Sequence, residues 1–104
     1  MKESYYTMAK KYHVYIITNT HHTVLYTGVT GDILKRGWQH KQKLVDGFTK
    51  RYNCTKLVYI EEYDHPQGAI VWKKQIKAGS RQHKIDFIEN LNPHWKDLYE
   101  ELLP

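Results

Sequence analysis

The chain has 104 residues, with 16 Lys plus Arg against 11 Asp plus Glu, a formal net charge of +5 with the seven histidines neutral. An apolar fraction of 40% and 13% aromatics argue against disorder, and the length suits one domain with a modest core. Lone Cys54 excludes an intramolecular disulfide and a CxxC zinc site, and no apolar run reaches the eighteen residues a membrane span needs.

In chain order, residues 1–11 read as a flexible basic leader without the apolar stretch of a secretory signal, which points to a cytoplasmic protein. Residues 12–104 form the expected single domain. The β-branched and aromatic run from Tyr12 to Thr18 reads as a strand, and Asn19 to Thr23 interrupts it as a polar loop. Val24 to Val29 then returns as its hairpin partner. If Asn19 faces Val24, Tyr15 lies opposite Gly28, with Tyr26 diagonally across on the same face; Gly28 would then leave room beside Tyr15 for an approaching group.

Thr30-Gly31-Asp32 supplies a turn and helix-capping residues for a helix from Ile33 to Asp46. At about 100° per residue, Ile33, Leu34, Gly37, Trp38, Leu44 and Val45 make its apolar arc, with Arg36 and His40 together on the arc's edge. Phe48 to Asn53 connects to a third strand over Lys56–Tyr63. Asp64-His65-Pro66 starts a helix from Gln67 to Ala78 that stops at Gly79. Ser80 caps a further helix from Arg81 to Asn90, packing through Ile85, Ile88 and Leu91, and a last amphipathic turn carries Trp95, Leu98 and Leu102. The order β-β-α-β-α-α predicts an α+β domain: a three-stranded, largely antiparallel sheet flanked by helices.

Arg36 and His40, one helical turn apart, present a guanidinium and an imidazole to one phosphate-sized site. Tyr15 and Tyr26 on the hairpin add oxygens that can relay a proton from attacking water while arginine steadies phosphate charge. The spacing of Arg36 and His40 alone favours two solvated side chains, and it is the two tyrosines that shift the balance toward a site.

With these residues in place, the chain resembles the GIY-YIG nuclease family, and in particular its small single-domain bacterial members. His13-Val14-Tyr15 stands at the first motif, Tyr26-Thr27-Gly28 at the second, and Arg36 through His40 at the RxxxH element. Phe48 to Tyr52, Lys56 to Tyr59, Lys74 to Lys77, and Asn92-Pro93 with Trp95, Asp97 and Leu98 extend the likeness over residues 12–99. The resemblance implies an endonuclease that hydrolyses a DNA phosphodiester with one divalent metal, Mg²⁺ or Mn²⁺. In it, Tyr15 helps to activate water, Tyr26 supports the site, Arg36 stabilises the transition state, and His40 assists proton transfer or phosphate contact. Asn92 is matched to the family's C-terminal polar element.

One departure is chemical. The family's metal-binding glutamate falls at Lys73, so no metal ligand is assigned. Ala69, Trp72, Lys73 and Ile76 share one helix face; the ammonium either snorkels to solvent or pairs with Glu61 or Glu62, or else points into the former metal site. Lysine has donors and no acceptor, so it cannot ligate the cation. Lys35, Lys41, Lys50, Arg51 and Lys74, with Asn92, are the expected contacts to the nucleic-acid backbone. Three function classes follow: an impaired endonuclease acting alone or as a homodimer, a non-catalytic nucleic-acid-binding module, and a protein-interaction domain exposing its aromatics. His21-His22 lack a third ligand at a useful spacing, so no zinc is expected.

Overall fold

The sheet is built around its first strand. The computed structural model describes residues 10–45 and 47–104, so most of the expected leader and the helix end at Asp46 lie outside the described residues. Strand β1 (Tyr12–Thr18) is central, with β2 (Leu25–Thr30) on one side and β3 (Lys56–Tyr63) on the other, both antiparallel. The β1–β2 register pairs Tyr15 with Gly28, as the loop length predicts, and Ile17 with Tyr26. Asn19 fixes that loop: its Oδ1 accepts the backbone N–H groups of Thr23 (2.9 Å) and Val24 (3.1 Å). Against β3, Ile16 pairs with Tyr59 while Ile17 pairs with Leu57, so Val58 is an extra residue in a bulge.

Side chains alternate across the sheet and divide the core in two. Val14 and Ile16 pack with Val58, Ala69, Ile76 and Ile88. The helices on this face are α3 (Pro66–Ala78) and α4 (Arg81–Leu91). Tyr15 and Ile17 face the other way and pack with Ile33, Cys54, Leu57 and Tyr99. This face is covered by α1 (Ile33–Lys41) and the single-turn α5 (Tyr99–Leu102), with a further single turn, α2 (Phe48–Arg51), between them in the chain. Each wholly buried isoleucine contributes about 1.5–3 kcal/mol of apolar burial. Among the described residues no helix is long and apolar enough to cross a membrane.

Helix α1 departs from its expected course. It stops at Lys41, because Lys43 turns into left-handed backbone (φ 57°) and Leu44 N–H closes back on the Gln39 carbonyl (2.8 Å). Its buried stripe is Ile33, Gly37 and His40, whereas Leu34, Trp38 and Leu44, expected in the apolar arc, are exposed. The cause is non-local: Tyr99 fills the gap at Gly37, where a Cβ would stand 2.7 Å from its Cδ1. In α4, Leu91 likewise lies exposed, while the next residue, Asn92, is buried.

Candidate functional site

Three elements close in sequence bring the expected site residues together. Tyr15, only 3% exposed, places its hydroxyl 3.0 Å from His40 Nε2 in a buried hydrogen bond. Its ring centroid lies 6.5 Å from Tyr26 and 5.6 Å from His40, and Tyr26 lies 6.2 Å from His40. The room expected at Gly28 for an incoming group is filled by Tyr15 itself: a Cβ on Gly28 would lie 2.5 Å from the phenol's Cζ and Oη. Gly28 therefore serves to seat the phenol.

Burial, reinforced by Tyr26 and opposed by Arg36, raises the Tyr15 phenol above the ordinary tyrosine range. Burial, with Arg36 adding to it, lowers His40 to about 4. At neutral pH the hydroxyl and the imidazole therefore form an uncharged pair beside a guanidinium. His40 Nδ1 is buried with no hydrogen-bond partner among the described residues, so Nε2 is the ring nitrogen that is hydrogen-bonded, to the Tyr15 hydroxyl.

This pair has a pH signature. The unfolded chain takes up a proton on the imidazole near its ordinary value of 6.5, and the folded chain does so only near 4. Stability is thus fully present above about 6.5 and falls as pH drops toward 4, by roughly 2–3 kcal/mol. Urea unfolding of the protein and of His40→Gln between pH 7 and 4.5 checks this: the variant's acid limb should be shallower by that amount. Parallel limbs would refute the buried neutral imidazole.

The remaining expected contacts separate into two sets. Lys35 is exposed and lines, with Arg36, Asp32 and Lys10, a polar cavity of about 270 Å³. Lys50, Arg51 and Lys74 are exposed, Arg51 lying 5.7 Å from the Tyr52 ring centroid. Lys41 and Asn92 belong elsewhere. Lys41 Nζ is spent on Asp97, on the Thr55 carbonyl (3.2 Å) and over the Tyr99 ring (5.2 Å), tying α1 to the C-terminal turn. Asn92, 4% exposed, donates to the Val58 (3.1 Å) and Lys96 (2.8 Å) carbonyls and accepts from Lys96 N–H (3.0 Å). Its amide is engaged as an internal cap.

Lys73 is half-buried on α3 and makes no hydrogen bond or ion pair with the four site residues, Glu61 or Glu62. It lies one turn before Lys77 on the same helix face, and Lys77 Nζ sits 5.6 Å from the Tyr26 ring centroid. Four carboxylates are engaged away from Tyr15 and Tyr26. Glu61 accepts both the Tyr59 and Tyr63 hydroxyls at 3.0 Å, Glu62 lies 3.4 Å from His13, Asp32 caps α1, and Asp97 holds Lys41. Among the described residues, no group of three His, Cys, Asp or Glu side chains is placed to hold a metal. The donor set around Tyr15 does not fit a divalent cation.

Two aromatics of the stretch from Phe48 to Tyr52, matched above to the family but given no role, also border the cleft. Phe48 stacks on Tyr26 at 6.1 Å and 29°, and Tyr52 tilts against Phe48 at 4.8 Å. Their i, i+4 spacing across a basic turn is the signal that could have disclosed them.

Known proteins agree with this architecture. A UPF0213 protein of Syntrophus aciditrophicus (strain SB) is 39% identical over 87 residues, covering 83% of this chain and 97% of the relative. The solution NMR structure of a UPF0213 protein from Bacillus halodurans superposes with a TM-score of 0.55, over 90% of this chain and 99% of that one, at 20% identity. That likeness establishes the fold: a three-stranded antiparallel sheet with helices. The GIY-YIG catalytic domain matches residues 11–86, which include Tyr15, Tyr26, Arg36, His40 and Lys73. With that match across most of its length, the chain belongs to the GIY-YIG family.

Proposed function

We propose that the cleft around Tyr15, Tyr26, Arg36 and His40 is a site for a DNA phosphodiester, and that this chain binds such a backbone while cleaving it feebly or not at all. The observation that carries the reading is the buried 3.0 Å pair of Tyr15 Oη and His40 Nε2 within a basic cleft where, among the described residues, no group of three potential ligands is placed to hold a metal. Arg36 offers a planar fork of donors to phosphate oxygens, which suits both binding and charge stabilisation. A neutral imidazole can accept the tyrosine proton as the phenol oxygen draws one from water.

The same electrostatics explain weak chemistry. Burial holds the phenol in its protonated form, and Lys73 stands at the sequence position where the family carries its metal-binding glutamate. Mg²⁺ or Mn²⁺, the cofactor that the family implies, finds no set of three ligating side chains among the described residues, and no step is assigned to it. The binding module is therefore the function favoured in practice, with Lys35, Lys50, Arg51 and Lys74 as exposed backbone contacts.

Anisotropy of labelled linear, nicked and branched DNA at low salt tests this. Binding should weaken as salt rises, and Arg36→Ala should weaken it about tenfold or more, as loss of a charge-assisted hydrogen bond requires. Robust cleavage by the unmodified protein, abolished in Tyr15→Phe, would refute the impaired reading. No affinity for any of these DNAs would refute binding and favour a protein-interaction role.

A further inference from the structure

Four aromatic rings lead outward from the buried phenol. Tyr15 is 3% exposed and lies beside half-buried Tyr26, Phe48 stacks on Tyr26, and Tyr52 follows, the last two 46% and 42% exposed. They stand on a fixed turn rather than a loose loop. Thr49 is buried between them in sequence, and Cys54 N–H donates to its carbonyl at 2.9 Å. The Arg51 guanidinium lies over the Tyr52 ring, and both Phe48 and Tyr52 keep nearly half of their surface open to solvent.

The surroundings narrow the choice of occupant. Lys77 and Lys84 line a cavity of about 310 Å³ with Tyr26 and Phe48, and Arg51 lies beside Tyr52. Flat, exposed rings bordered by cations suit a flat, electron-rich ring on an anionic chain better than an aliphatic protein surface. Base pairs in a duplex already stack on each other and withhold their faces, whereas an unpaired base presents both.

We infer that Phe48 and Tyr52 form a stacking shelf for an unpaired nucleobase next to the phosphate at Arg36, so that the preferred ligand is a single strand rather than a perfect duplex. This rests on the cleft being a phosphate site, as proposed above.

The test measures binding of a labelled single strand, the same sequence as a duplex, and the same strand with abasic residues, against Phe48→Ala, Tyr52→Ala, Phe48→Trp and Arg36→Ala. Both mutated rings are largely exposed, and a thermal melt confirms folding of each variant. The single strand should bind at least about tenfold tighter than the duplex. Phe48→Ala should lose about 5- to 100-fold on the base-bearing strand only, as expected for one stacked base. Phe48→Trp should retain affinity. Equal binding of the abasic and base-bearing strands, a preference for duplex, or an unaffected Phe48→Ala would overturn the shelf while Arg36→Ala still reports the phosphate site. Absence of binding to every ligand would overturn both readings.

Discussion

Lys73→Glu is expected to give the protein Mg²⁺- or Mn²⁺-dependent nicking of DNA, about 100-fold or more above the unmodified chain. The figure follows from the several kcal/mol that a bound cation contributes to a phosphoryl transition state, at about 1.4 kcal/mol per tenfold. The substitution exchanges three donors without an acceptor for two oxygens with ligand geometry, and it reverses the local charge. It should leave folding intact, since Lys and Glu have similar helix propensity and Lys73 has no ion pair or hydrogen bond to lose among the described residues. The new carboxylate has one competitor: a glutamate four residues before Lys77 is placed to pair with it. Lys73→Gln serves as the control, because it removes the positive charge without supplying a ligand; it should stay inactive. Nicking in Lys73→Glu that disappears in the Tyr15→Phe double variant would tie the gain to this cleft. An inactive but folded Lys73→Glu, at millimolar metal, would sink the account of Lys73 as the reason for weak cleavage.

The second large effect lies at Gly28. An alanine there puts a methyl 2.5 Å from Tyr15 Cζ and Oη and 2.9 Å from Cε2. A flexible side chain would swing aside, but this phenol is buried and hydrogen-bonded to His40, so it has nowhere to go. Overpacking of this kind costs about 1–3 kcal/mol, and loss of the Tyr15–His40 bond adds roughly another 1 kcal/mol. Gly28→Ala should therefore lower the denaturation midpoint substantially and shift the His40 ring signals in NMR spectra. A stability change within about 0.5 kcal/mol, with those signals unmoved, would show that the phenol has more freedom than the geometry allows.

The sheet was largely legible from the sequence. Alternating β-branched and aromatic residues set the β3 bounds at Lys56 and Tyr63, and the polar loop at Asn19 set Tyr15 opposite Gly28. These depend on neighbours in sequence or directly across a hairpin. What escaped depends on distant residues. Hydrophobicity alone assigned Trp38 and Leu44 to the core, but Tyr99 occupies the space at Gly37 and turns the helix so that His40 is buried instead. Lys41 and Asn92 look like cleft residues until Asp97, Val58 and Lys96 are seen to engage them. The grouping of Tyr15, Tyr26 and His40 was visible because motif order and strand register agree. The Phe48–Tyr52 edge was not, because a single helical turn has too few residues to show which side faces solvent.

The position of β1 in the sheet also governs how the cleft fluctuates. Tyr15 rides on the strand with ladders on both sides, whereas Tyr26 rides on β2, which is bonded along one side only. Local opening follows the number of contacts that must break, so the outer wall loosens at lower free energy than the strand behind it. The cleft can therefore breathe as a page turns on its spine, the β2 side lifting while Tyr15 and His40 stay joined. Amide exchange would register that difference as slow protection along β1 and faster loss along the free edge of β2.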